Sequence, residues 1–122
     1  MAGSNTGRFG EDAAADFLCG EGYVIVERNF RCRFGEIDII ATYGNYICFT
    51  EVKTRRRNSM LLPREAVDAK KQARIIMATK MYLSCHNIDE FQPRFDVIEV
   101  TTLHGETFKV DKINLIENAF SL

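Results

Sequence analysis

Four residues in two neighbouring runs have the types and spacing to do chemistry. They are Glu36 and Asp38 in Gly35-Glu36-Ile37-Asp38-Ile39-Ile40, and Glu51 and Lys53 in Ile47-Cys48-Phe49-Thr50-Glu51-Val52-Lys53. Two carboxylates brought close together either share a proton or hold a cation between them, and a lysine beside them can offset charge on a reacting group. Both runs are rich in β-branched and aromatic residues and read as strands. Gly44-Asn45 between them is a two-residue hairpin signal, because glycine takes a positive φ at no steric cost. That turn pairs Tyr43 with Tyr46. The same register, continued outward, sets Asp38 opposite Glu51 and Glu36 opposite Lys53.

Alternation along a strand then puts all four side chains on one face. Opposed Cβ atoms lie about 5 Å apart. Two like charges at that separation repel by about 3 kcal/mol at an effective dielectric of about 20, so a proton or a cation is needed between Asp38 and Glu51. The plainer alternative is a solvated face with Glu36–Lys53 as a surface ion pair worth under about 1 kcal/mol. Ile40, Ile47 and Phe49 fall on the same face as the charges, which favours a polar pocket at one end of a partly covered sheet.

The elements that must position these residues follow from the pattern on either side. Residues 1–7 read as a loose leader, with Ser4, Asn5 and Thr6 as candidate helix caps. A helix is expected from Arg8 to Cys19, carrying Glu11 beside its apolar stripe. Taken alone, Glu11 is a first-turn carboxylate favoured by the helix dipole. Tyr23 to Phe30 reads as a strand, and Arg31-Cys32-Arg33 leads to the hairpin. Thr54 to Ser59 reads as a polar loop, whose Arg55, Arg56 and Arg57 either lie in solvent or hold a phosphate backbone near the acids. Pro63 to Val67 approaches a second helix, Ala69 to Cys85, with Asp68 as its N-cap. Gln72 precedes Ile75 and Ile76 by three and four residues, so it faces inward or is hydrated at the helix edge. A strand from Arg94 to Thr101 contains Asp96. A turn over Leu103 to Glu106, a last strand over Thr107 to Val110, and a turn or short helix over Ile113 to Phe120 complete the chain. His86 and His104 fall in loops and receive no catalytic role.

The 122 residues, 46% apolar and 27% charged, suit one globular domain over 1–122. No long apolar run suggests a membrane span and no signal-peptide core is present, so a cytoplasmic location without membrane contact is expected. Cys19, Cys32, Cys48 and Cys85 lack metal-ligand spacing and read as reduced thiols. A net charge of −1 offers no global attraction for nucleic acid, although Lys53, Arg55, Arg56 and Arg57, followed by Arg64, Lys70, Lys71 and Arg74, form a basic stretch.

Glu11, Arg28-Asn29, Gly35 to Ile40, Glu51-Val52-Lys53, Lys71-Gln72, Arg94-Phe95-Asp96-Val97 and Asn118-Ala119-Phe120 together resemble the YraN-like family. That family is similar in turn to the PD-(D/E)xK nuclease superfamily of restriction endonucleases and Holliday-junction resolvases. The resemblance covers almost the whole chain. It implies a mixed α/β, restriction-endonuclease-like core in the order helix-strand-strand-strand-helix-strand, with a mixed central sheet flanked by helices. The proline of the superfamily signature is replaced here by Ile37. The resemblance further implies Asp38, Glu51 and Glu11 as ligands of Mg²⁺ or Mn²⁺, with Lys53 and Gln72 completing a catalytic set. Glu36 would support Lys53 or bind a second ion, and Arg55, Arg56, Arg57 and Lys71 would contact nucleic acid. The implied activity is phosphodiester hydrolysis, with DNA and branched DNA as the leading substrates and a homodimer as a candidate assembly. The alternatives are a non-catalytic nucleic-acid-binding module on the same fold and a protein-interaction domain.

Overall fold

The sheet grows outward from the Gly44-Asn45 turn, where Gly44 has a φ of 57°. The computed structural model describes residues 2–57, 67–103 and 109–121, with side chains from residue 7 onward. The elements are α1 (Ala2–Gly20), β1 (Val24–Cys32), β2 (Gly35–Tyr43), β3 (Tyr46–Arg56), α2 (Ala69–Cys85), β4 (Gln92–Thr102) and β5 (Val110–Phe120). They form a five-stranded mixed sheet in the order β1-β2-β3-β4-β5. Only β3 and β4 pair in parallel, since α2 carries the chain back between them.

The two helices cover opposite faces. Ala14, Ala15 and Leu18 of α1 pack with Ile39, Ala41, Cys48, Ile98 and Val100. Ile75, Ala78 and Tyr82 of α2 pack with Ile37, Ile40, Ile47, Phe49 and Phe95. Each fully buried large side chain contributes about 1.5–3 kcal/mol. The central strands β3 and β4 are sandwiched by both clusters, which is why Phe95 to Val100 read as nearly continuous apolar sequence around Asp96 and Glu99. A second charged group lies in this core. Arg94 donates to Asp96 from Nε and Nη2 and to the Tyr23 hydroxyl at 2.7 Å, and Asp96 Oδ1 accepts the amide of Asn118. It ties β4 to β5 and to Tyr23 in the connection between α1 and β1.

Several expectations need correction. The proposed leader is helical from Ala2, so Ser4, Asn5 and Thr6 lie inside α1. β1 runs on to Cys32, and β5 occupies the stretch read as a turn or short helix. Thr54, Arg55 and Arg56 are strand residues, paired with Val100, Thr101 and Thr102. The reason is that a neighbouring strand satisfies their main chain while their side chains remain partly or wholly exposed; side-chain polarity alone suggested a loop. Asn58, Ser59, Pro63, Arg64, His104, Gly105, Glu106, Thr107 and Phe108 lie outside the described residues.

Candidate active site

β2 and β3 pair from Tyr43↔Tyr46 to Ile39↔Thr50 and no further. Beyond that point β2 continues with β1 to Gly35, and β3 continues with β4 to Arg56. The sheet therefore forks, and Asp38 stands at the fork. Its Oδ2 accepts the amide of Val52 at 2.8 Å, where a regular ladder would use main chain.

A local irregularity puts Asp38 there. Arg28↔Ile39 and Phe30↔Ile37 pair on either side of Asn29, which is thus level with Asp38 and has a φ of 56°. Ile39 packs under α1 while Ile37 packs under α2. Residues two apart share a face in a regular strand, so the strand pair turns over at Asn29 and Asp38. The expected single face with Ile40, Ile47 and Phe49 is corrected accordingly: those three are buried under α2, and the charges gather in the gap at the fork. Glu36, expected opposite Lys53, is bonded instead to Arg31 Nε at 2.9 Å.

The gap is a cavity of about 340 Å³ lined by Glu11, Glu36, Asp38, Glu51, Lys53 and Lys71, with Gly7 and Thr54 at its α1 side. Thr54 is reached because α1 comes very close at Gly10. A Cβ on Gly10 would run into the Thr54 side chain, so only glycine allows this approach. On the other side, Asp68 caps α2 by accepting the Lys71 amide at 2.9 Å. This holds Lys71 in the first helical turn, beside Glu51.

Both lysines converge on one oxygen. Glu51 Oε1 is 2.8 Å from Lys71 Nζ and 3.5 Å from Lys53 Nζ. Glu51 is only 4% exposed, and its Oε2 is buried with no hydrogen-bond partner among the described residues. Burial and the nearby Glu51 charge push Asp38 up to about 8, against the help of the Val52 amide. Burial, reinforced by Lys71, lowers Lys53 despite the pull of Glu51. Burial would also lower Lys71, but its hydrogen bond to Glu51 and the Glu51 charge overcome this and raise it. Glu11 is raised by burial, against Arg28 and a hydrogen bond from Asn29.

These residues fit a dication at Asp38 and Glu51. A bare buried carboxylate oxygen and a neighbouring carboxyl held toward its protonated form both gain from positive charge between them. Magnesium typically takes one or two protein carboxylates and fills its shell with water and phosphate oxygens. Among the described residues no group of three His, Cys, Asp or Glu side chains is arranged to hold a metal. Glu11 lines the cavity but is 3.9 Å from Arg28 Nη2, so its carboxylate already has a counter-charge.

Gln72 is not among the cavity residues. Its amide donates to Val67 O at 2.9 Å, bracing the start of α2. Lys71, expected on a nucleic-acid-facing surface, contacts Glu51. Arg57 is 3.9 Å from Asp111, and Arg56 is exposed on the far arm of the fork. Arg28 and Asn29 were not singled out as site residues in the sequence. The available signal was an asparagine, a residue tolerant of positive φ, inside a strand opposite a key acid.

A profile of an uncharacterised protein family, UPF0102, matches residues 10–100. A UPF0102 protein of Caldanaerobacter subterraneus subsp. tengcongensis is 48% identical over 114 residues, covering 93% of both chains. A UPF0102 protein of Caldicellulosiruptor bescii is 48% identical over 115 residues, covering 93% of this chain and 95% of its own. One from Syntrophus aciditrophicus is 46% identical over 117 residues, covering 96% and 89%.

Proposed function

We propose, from the premise that the chain belongs to the UPF0102 family, that it is a divalent-metal-dependent nuclease of PD-(D/E)xK type, acting on phosphodiester bonds in nucleic acid, with DNA as the first substrate to test. The observation that carries this reading is the shared cavity of Asp38, Glu51 and Lys53, in which Glu51 keeps one buried oxygen without a hydrogen-bond partner among the described residues. Mg²⁺ or Mn²⁺ held by Asp38 and Glu51 would polarise the phosphodiester and activate a water.

The chain's own groups supply the rest. The Val52 amide fixes the Asp38 carboxyl at the fork. Lys53 sits close to Glu51, and its side chain is only 24% exposed. From there it orients a water or balances charge growing on the phosphate oxygens. Lys71 holds Glu51 Oε1 and leaves Oε2 available. The apolar cluster under α2 backs the strands and keeps the acids from being fully hydrated.

The test is incubation of the purified protein with labelled linear DNA, branched DNA and RNA, in Mn²⁺, Mg²⁺ or EDTA. Metal-dependent cleavage by the unaltered protein, lost in Asp38→Asn and Glu51→Gln, is the expected result. Cleavage that survives EDTA, or that Asp38→Asn leaves intact, overturns the reading. A second reading, a non-catalytic nucleic-acid-binding module, has one observation in its favour: two lysines already balance Glu51. Binding of nucleic acid without cleavage in Mn²⁺ would select it.

A further inference from the structure

Beside the candidate site lies a second, larger cavity of about 520 Å³, lined by Arg8, Glu11, Asp12, Arg28, Asn29 and Arg31. The two cavities share Gly7 and Glu11, so they adjoin. Their charges differ. The candidate site presents four carboxyl groups, of which Asp38 is held toward its protonated form, against two lysines. The second cavity presents three arginines against two carboxylates of its own, with Glu36 of the adjoining wall paired to Arg31. A phosphodiester is an anion. The acid-rich cavity disfavours it until positive charge is added there, whereas the arginine cavity already offers it guanidinium donors, with Arg8 carrying no counter-charge among the described residues.

The arginines have donors to give. A guanidinium carries five N–H donors. Arg28 uses Nη2 for Asp12, at 2.7 Å. Arg31 uses Nε for Glu36, and its side chain is 74% exposed. Arg8 is exposed and makes no ion pair among the described residues. The carboxylates therefore orient Arg28 and Arg31 and leave further N–H groups for phosphate oxygens, which arginine recognises in pairs. Local structure fixes the layout. The left-handed turn at Asn29 places Arg28 on the α1 side, next to Glu11 and Asp12. The β1–β2 pairing sets Arg31 beside Glu36, which also lines the candidate site.

We propose that the Arg8–Arg28–Arg31 cavity is an anchoring subsite for a phosphodiester neighbouring the one at the candidate site, able to hold the strand before any dication enters. This rests on the nuclease reading and refines it. The substrate is a polynucleotide strand whose backbone runs over α1 and β1, with the arginines at the end of β3 contributing less.

Metal-free binding tests it, because no cleavage is needed. Fluorescence anisotropy of a short labelled DNA strand in EDTA would be compared for the unaltered protein, for Arg8→Gln with Arg31→Gln, and for Arg56→Gln with Arg57→Gln. Arg8 and Arg31 are exposed, and Arg28→Lys is a third variant that keeps a positive charge for Asp12 but loses the planar fork. The expected result is at least roughly tenfold weaker binding in the Arg8, Arg31 variant, a salt dependence shallower by about 1 for each phosphate contact removed, and a smaller loss in the Arg56, Arg57 variant. Equal affinity of the Arg8, Arg31 variant and the unaltered protein overturns the subsite and leaves the nuclease reading standing. Arginine-dependent binding of inorganic phosphate without binding of the strand also overturns it, since the cavity then takes a free phosphate group. Absence of any strand binding in EDTA overturns it as well. Cleavage assays in Mn²⁺ then decide the nuclease reading separately.

Discussion

Asp38 Oδ2 accepts the amide of Val52 at 2.8 Å across the point where β2 and β3 part. One carboxyl group thus both closes the ladder and opens the cavity. Burial and Glu51 hold it toward its protonated form, near 8 instead of 3.8. An acid whose folded pKa is raised binds its proton more tightly when folded. This group's contribution to the stability of the metal-free protein is therefore expected to be greatest below the ordinary carboxylate range and to be lost as pH rises from about 4 to about 8. The Asp38→Asn variant keeps an acceptor for the Val52 amide and has no proton to lose. The stability gap in its favour should widen by up to about 1.4 kcal/mol per pH unit across that window. Urea midpoints in EDTA at pH 5 and pH 8 check this; a constant gap would count against it.

The two lysines on Glu51 should separate cleanly. Lys71 Nζ, at 2.8 Å, is the closer counter-charge and competes with any dication for Glu51. Lys71→Met is expected to tighten Mn²⁺ binding by about tenfold, the equivalent of about 1.4 kcal/mol. Lys53→Ala is expected to retain Mn²⁺ binding and lose cleavage. Calorimetry with Mn²⁺, paired with a cleavage assay, reads both.

Gly10 should tolerate no side chain. Its absent Cβ is the space occupied by Thr54 Oγ1. Gly10→Ala is expected to cost about 1–3 kcal/mol by overpacking and to shift Glu11 and Thr54 at the cavity wall. Adding Thr54→Ala should recover much of the loss, as direct contact predicts. Thermal melts of the single and double variants test the coupling.

Asp96 should matter for the fold and not for the metal. It is fully buried, and Arg94 is 8% exposed. Removing one partner of such a pair typically costs about 3–5 kcal/mol. Asp96→Asn should lower the melting temperature sharply while Mn²⁺ affinity, measured below the melt, stays unchanged. A selective loss of Mn²⁺ binding would place Asp96 in the site.

Local signals determined much of this protein. The Gly44-Asn45 turn, the strand-forming runs on either side and the Asp68 cap are short-range features, and each is found in place, the hairpin register holding from Tyr43↔Tyr46 to Ile39↔Thr50 and ending before the expected Asp38–Glu51 and Glu36–Lys53 pairs. The alternation rule carried Ile40, Ile47 and Phe49 to one face correctly. It broke at Asp38, because a left-handed Asn29 on the neighbouring strand reverses the pleat there, and no property of β2 alone encodes that. Tertiary structure decided the rest of the cavity. Lys71 reaches Glu51 only because α2 packs across β2, next to β3, and Glu11 arrives only because Gly10 lets α1 approach Thr54. Periodicity places a residue on the face of its own element. Which charges meet depends on how separate elements pack, and here that packing is set by two apolar clusters that join both helices to the sheet, Ile37 and Ile39 on either side of Asp38 each belonging to one of them.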